Sequence, residues 1–132
     1  MGKNGFTELE FGGKCCVLSY GHVLHRVLEA RERSPDNVFG VIDLYRVKSI
    51  DKNLMVILRS HDGVVAVEEQ CLSGGFGSAV LEAMSDSGLH MPVKRIGLEK
   101  RYYFVDGGRE YLLERFGLSI DGIVRAVDEV LQ

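Results

Sequence analysis

Short uninterrupted apolar runs alternate along this chain with longer segments in which apolar residues recur every three or four positions. The runs are Cys15-Cys16-Val17-Leu18-Ser19, Val38-Phe39-Gly40-Val41-Ile42 and Val64-Val65-Ala66-Val67, and residues 92–96 read as a fourth strand interrupted by Lys94-Arg95. Runs that are apolar on successive residues fit strands covered on both faces, as in a parallel sheet flanked by helices. Between them, Val23, Leu24, Val27, Leu28 and Ala30 share one helix face after the turn Tyr20-Gly21-His22, and Ser34-Pro35-Asp36-Asn37 stops that helix. Residues 44–50 read as a loop with apolar anchors. Asp51 is placed to cap a helix over residues 52–59 that buries Leu54, Met55, Ile57 and Leu58. Another helix runs from Phe76 to about residue 87. Residues 109–116 form a short helix closed by Gly117, and Ser119 caps a last one bearing Ile123, Val124, Val127, Val130 and Leu131.

Residues 1–13 break the pattern. They are polar and rich in glycine (Gly2, Gly5, Gly12, Gly13), and read as a linker or lead-in that holds at most a short edge strand over residues 6–11. The expected organisation is therefore a lead-in, 1–13, and a single α/β domain, 14–132. Strands alternating with helices imply right-handed crossovers and a mostly parallel sheet with helices on both faces.

Composition narrows the function. A chain of 132 residues suits one domain. A domain of this size buries roughly two-thirds of its unfolded surface, so it needs no metal or disulfide to hold it together. The net charge of −3 and pI near 5.8 argue against a nucleic-acid partner, which would call for a basic face. The close pairs Arg31/Arg33, Lys94/Arg95 and Lys100/Arg101 read as solvated surface. Of three cysteines, two are adjacent, which excludes a disulfide framework and fits buried thiols in a reducing compartment. No apolar stretch approaches the ~20 residues of a membrane span, and no signal-peptide core is present. The expectation is a cytoplasmic protein without a membrane partner.

Candidate chemistry concentrates at one corner. After Val67 come Glu68 and Glu69, then Gly74-Gly75-Phe76-Gly77 and a helix. Asp43 ends the preceding strand in the same way. In open α/β sheets, the carboxyl ends of strands are where ligands bind. The glycine spacing is neither G-x-G-x-x-G nor a phosphate loop, so a tight turn or a close approach by another backbone accounts for it better than a phosphate does. Neighbouring strand residues point to opposite sides, so Glu68 and Glu69 do not form a catalytic pair. One of them reads as an anchor for the turn's N–H groups and the other as facing solvent. Histidines 22, 25, 61 and 90 supply no metal set, and Ser19, Ser73 and Ser78 lack a nucleophile elbow. Tyr102-Tyr103-Phe104 read as a packing loop. No catalytic, cofactor-binding or metal-binding residue is assigned. Asp43, Asp51, Glu68, Glu69, Gly74, Gly75, Phe76 and Gly77 are structural or interface candidates.

Three blocks carry a family resemblance: Val17-Leu18-Ser19-Tyr20-Gly21; Val41-Ile42-Asp43 through Val47-Lys48-Ser49-Ile50-Asp51; and Val67-Glu68-Glu69 with Gly74-Gly75-Phe76-Gly77. In this order, over residues 12–131, the chain resembles the C-terminal domain of the transketolase family of thiamine-diphosphate enzymes. That family includes transketolase, deoxyxylulose-5-phosphate synthase and the 2-oxoacid dehydrogenase beta subunit. The tail, residues 104–113 with Gly117-Leu118 and Gly122-Ile123, is more similar to the synthase and transketolase branch. Ser49 departs from the family's usual proline and leaves the Asp51 cap intact.

The resemblance implies a three-layer α/β/α fold with a mostly parallel five-stranded sheet. It implies that preceding domains hold thiamine diphosphate and Mg²⁺, that this chain alone binds no cofactor and is inactive, and that it completes the enzyme through contacts with the remaining domains or subunits in a homo-oligomer, such as a dimer. Residues 1–13 are similar to the segment joining the pyrimidine-binding domain to this one, as either a cut from a longer polypeptide or a split gene would leave. A different reading of the same residues is a free-standing binding or regulatory module that docks a partner or a small anion at residues 73–78.

Overall fold

Cys15 and Cys16 show how the molecule is layered, because they point into two different cores. A computed structural model describes residues 5–21, 24–33, 39–46, 50–68, 76–96 and 120–131. Within these, the strands are β1 (Phe6–Glu10), β2 (Cys15–Ser19), β3 (Gly40–Leu44), β4 (Gly63–Val67) and β5 (Val93–Ile96). The helices are α1 (Leu24–Glu32), α2 (Lys52–Leu58), α3 (Phe76–Asp86) and α4 (Ile120–Val130). Cys15 and Val17 join Val41, Val65 and Val67 under α1 and α4, packed against Val27, Ala30, Ile123 and Val127. Cys16 and Leu18 join Ile42, Val64 and Ala66 under α2 and α3, against Leu54, Leu58, Val80 and Met84. Strict alternation over a sheet covered on both faces is what makes each strand apolar at every position.

The sheet order is β1-β3-β2-β4-β5. β2 pairs in parallel with β3 and β4, and β4 with β5. β1 alone is antiparallel, matching Phe6 to Leu44 and Glu8 to Ile42. The register shifts between Glu8 and Glu10, a bulge that turns the Glu10 side chain toward the α1 face. There Arg31 of α1 meets it at 3.4 Å and also donates to the carbonyls of Phe39 (2.9 Å) and Phe11 (3.1 Å). The end of α1 is thereby tied to β1 and to the entry of β3.

The alternating architecture predicted from the sequence is present, and the edge strand expected over residues 6–11 is built into the sheet. One boundary needs correction. The second parallel strand is not residues 38–42 but Gly40–Leu44, because β1 lies against it and supplies hydrogen-bond partners two residues further along. Asp43 therefore sits inside this strand, between Thr7 of β1 and Ser19 of β2, rather than beyond its end. The helix expected at 109–116 and the aromatic run at 102–104 lie outside the described residues.

The last helix docks closely. A side-chain carbon on Gly63, which opens β4, would lie 3.0 Å from Val130 Cγ1 and 3.3 Å from the Val130 carbonyl. Glycine there lets the end of α4 rest on the strand. Lys94 of β5 pairs with Glu129 of α4 at 2.9 Å on the same flank.

Candidate functional site

β2 leads into a helix on one face of the sheet and β4 into a helix on the other. The gap between their carboxyl ends is thus the switch point at which open α/β sheets form a ligand crevice. Among the described residues, the chain's own hydrogen bonds link the strands at this gap. The buried Ser19 hydroxyl donates to the Val67 carbonyl across the gap at 2.9 Å. Next along the chain, the Glu68 backbone N–H donates to Ile96 O at 2.9 Å and extends the ladder by one residue.

The side chain of Glu68 is the centre of the corner. It is 1% exposed and accepts the N–H of Phe76 at 2.8 Å and of Gly77 at 3.3 Å, the first two residues of α3. A helix leaves its first N–H groups without internal partners, and this carboxylate takes two of them while lying at the positive end of the helix dipole. Arg95 of β5 approaches the same carboxylate at 3.7 Å and donates to Ser78 Oγ at 3.1 Å. A side-chain carbon on Gly77 would collide with the Arg95 guanidinium, so this glycine keeps the path from Arg95 to Glu68 open. The close approach at Gly77 is made by a side chain, where the spacing had suggested a turn or another backbone.

Burial raises the Glu68 carboxyl above the ordinary glutamate value, although the bonds from Gly77 and Phe76 and the charge of Arg95 pull the other way. Tyr20 packs its ring on Phe76 with centroids 5.0 Å apart. Its hydroxyl is also raised, by burial first and by the negative charge of Glu68 second.

The other expected positions are dispersed. Asp51 caps α2, its carboxylate accepting from Asn53 N–H at 2.7 Å. Asp43 is half-buried on the α1 side of the sheet, opposite to Glu68, and burial raises its carboxyl. Asp43 and Glu68 do not converge. Glu69, Gly74 and Gly75 lie outside the described residues. His25 and His90 are exposed, while His61 closes the end of α2. Among the described residues no three His, Cys, Asp or Glu side chains are grouped to hold a metal ion. No helix there is long and apolar enough to cross a membrane.

Sequence reasoning overlooked Arg95, taken with Lys94 as solvated surface. Lys94 does face outward, but alternation turns Arg95 to the α3 side. The period of two was the available signal. Ser19 and Ser78 carried no pattern that would have revealed their bonds.

Comparison with known proteins gives a consistent set of likenesses. The family model described as "Transketolase, C-terminal domain" matches residues 7–123. The 1-deoxy-D-xylulose-5-phosphate synthase of Gloeobacter violaceus is 35% identical over 126 residues, covering 93% of this chain and 20% of that protein. The synthase of Cupriavidus necator is 40% identical over 120 residues, covering 89% of this chain and 18% of that protein. The chain thus spans about a fifth of the length of these relatives. Among solved structures, a split gene transketolase, an inactive beta4 tetramer, superposes with a TM-score of 0.84 at 31% identity, covering 98% of this chain and 43% of that one. A transketolase from Pichia stipitis reaches a TM-score of 0.66 at 15% identity, covering 97% of this chain and 18% of that one, which is a likeness of fold.

Proposed function

The chain belongs to the transketolase C-terminal domain family, and on that premise we propose that it serves as a non-catalytic assembly domain of a thiamine-diphosphate-dependent, transketolase-like enzyme. The parent activity in this reading is ketol transfer or synthesis of deoxyxylulose 5-phosphate. Relatives of the synthase type, 35% and 40% identical, favour the second.

The observation that carries the proposal is the use of Glu68. At the corner where an α/β sheet binds ligands, the acidic group is buried and bound to the chain's own helix and to Arg95. A carboxylate held this way anchors a turn, and has no free approach to a reacting atom. The cofactor is assigned to the other domains of the parent, and no chemical step is assigned to this chain.

The partners are then those domains or subunits, together with further copies in a homo-oligomer. A split gene relative described as an inactive beta4 tetramer supports both the inactivity and the self-association. A cytoplasmic location belongs to the same reading, supported by the free, buried Cys15 and Cys16.

Reconstitution tests the proposal. Mixed with a polypeptide carrying the diphosphate- and pyrimidine-binding domains of the Cupriavidus necator synthase, the chain is expected to co-sediment and to restore activity that neither part has alone. A chain that remains separate, or that turns over substrate alone, contradicts it.

A further inference from the structure

Away from the Glu68 corner, below the amino ends of β2 and β3, lies a cavity of about 290 Å³. Its walls include Glu8, Phe11, Gly12, Gly40, Ser60 and His61. Glu8 is opposite Ile42 in the ladder, so its side chain projects to the α2 face. Among the described residues no hydrogen bond or ion pair engages its carboxylate.

His61 has a fixed orientation. Its Nδ1 lies 3.0 Å from the Ile57 carbonyl, which has no proton to give, so Nδ1 carries the hydrogen. In the neutral ring Nε2 then presents a lone pair toward Gly40, near the carbonyls of Glu10 and Gly12. The carbonyls of Ile57 and Leu58 at the end of α2 lie alongside and are occupied by Ser60 and His61. The Glu8 carboxylate and the Glu10 and Gly12 carbonyls are acceptors beside this space, at the negative end of a helix. Arg31, on the opposite face of the sheet, is committed to Glu10, Phe11 and Phe39, and no ion pair to Glu8 is formed among the described residues.

We propose that this cavity receives a lysine or arginine side chain presented by a partner polypeptide, with Glu8, His61 Nε2 and the Gly12 carbonyl accepting its N–H groups. Phe11, 67% exposed at the rim, covers the aliphatic stem and offers its ring face to the charge. The volume is at the lower limit of the roughly 300–1,000 Å³ typical of small-molecule sites and suits a single long side chain. A transition metal is a poorer occupant. No third ligand is grouped there among the described residues, and the adjacent Cys16 thiol is held protonated by burial, with Cys15 and Glu8 adding to the effect. This surface is separate from the Glu68 corner, so its assignment stands or falls independently of the assembly reading.

The test is a titration of the ¹⁵N-labelled chain with capped Ala-Arg-Ala and capped Ala-norleucine-Ala peptides. The arginine peptide is expected to give saturable shifts at Gly12, Gly40, Ser60 and His61. Glu8→Gln should weaken it roughly fivefold or more while leaving the spectrum of β4 and α3 unchanged. The proposal is overturned if the arginine peptide gives no saturable shift, if the norleucine peptide binds as tightly, or if Glu8→Gln binds as the wild type does.

Discussion

Glu68 is buried more completely than almost any other acidic side chain would tolerate, and the reason is that the backbone has donors waiting for it. Replacing it with alanine leaves the N–H groups of Phe76 and Gly77 and the Arg95 guanidinium without their carboxylate. A loss of about 3 kcal/mol in chemical denaturation is expected. The pH dependence has a definite sign. Because the folded-state value is raised above the ordinary 4.5, the folded chain binds this proton more tightly than the unfolded chain does. Glu68 thus contributes most at low pH, and its contribution declines as pH rises through the folded-state value. Compared with Glu68→Gln, the wild type's advantage should narrow as pH rises above the ordinary glutamate value of 4.5; an advantage that widens would reverse the assignment. Cys15 and Cys16 give a second residue-scale prediction. Burial pushes the Cys15 thiol up to about 12 and raises Cys16 as well. Peptide mapping after treatment with a thiol reagent at about pH 8 should find both unmodified in the native protein and modified once it is unfolded. That one of Glu68 and Glu69 would cap N–H groups was legible in their place before a glycine turn, but which of the two was not. Arg95 was not, because a basic pair on a short strand resembles surface until its two faces are distinguished.

At the scale of elements, the strands most visible in the sequence are those buried on both faces. β2 and β4 each place five buried residues in a row. β1 is harder to see, because as an edge strand it buries only Phe6 fully, and its polar Thr7, Glu8 and Glu10 resemble a linker. Its pairing also explains the shift in β3, which a reading of residues 38–42 alone could not locate. Asp51 was visible as a cap, and Asp51→Ala is expected to cost about 1 kcal/mol by losing the bond to Asn53. The seat of α4 on β4 is a different matter, because the fit depends on a missing side chain. Gly63→Val should destabilise by roughly 1–3 kcal/mol through a clash with Val130, and thermal unfolding of the variant measures it. Gly63→Ala, with a single carbon to accommodate, should cost less.

For the whole molecule, the order of strands places a switch point between β2 and β4, and the chain fills that place with its own Ser19 bond and its own Glu68 cap. Among the described residues that place is held by the chain's own bonds, which fits the proposed role of an assembly domain. The architecture was readable from alternating apolar runs and periodic helices. The direction of the edge strand and the bonds that Ser19 and Arg95 make at the corner were not, since they depend on contacts between residues far apart in sequence. Isothermal calorimetry of the purified chain with thiamine diphosphate and Mg²⁺ tests the central claim most directly. The account predicts no saturable heat of binding at any Mg²⁺ concentration. Tight, Mg²⁺-dependent binding to the chain alone would contradict it.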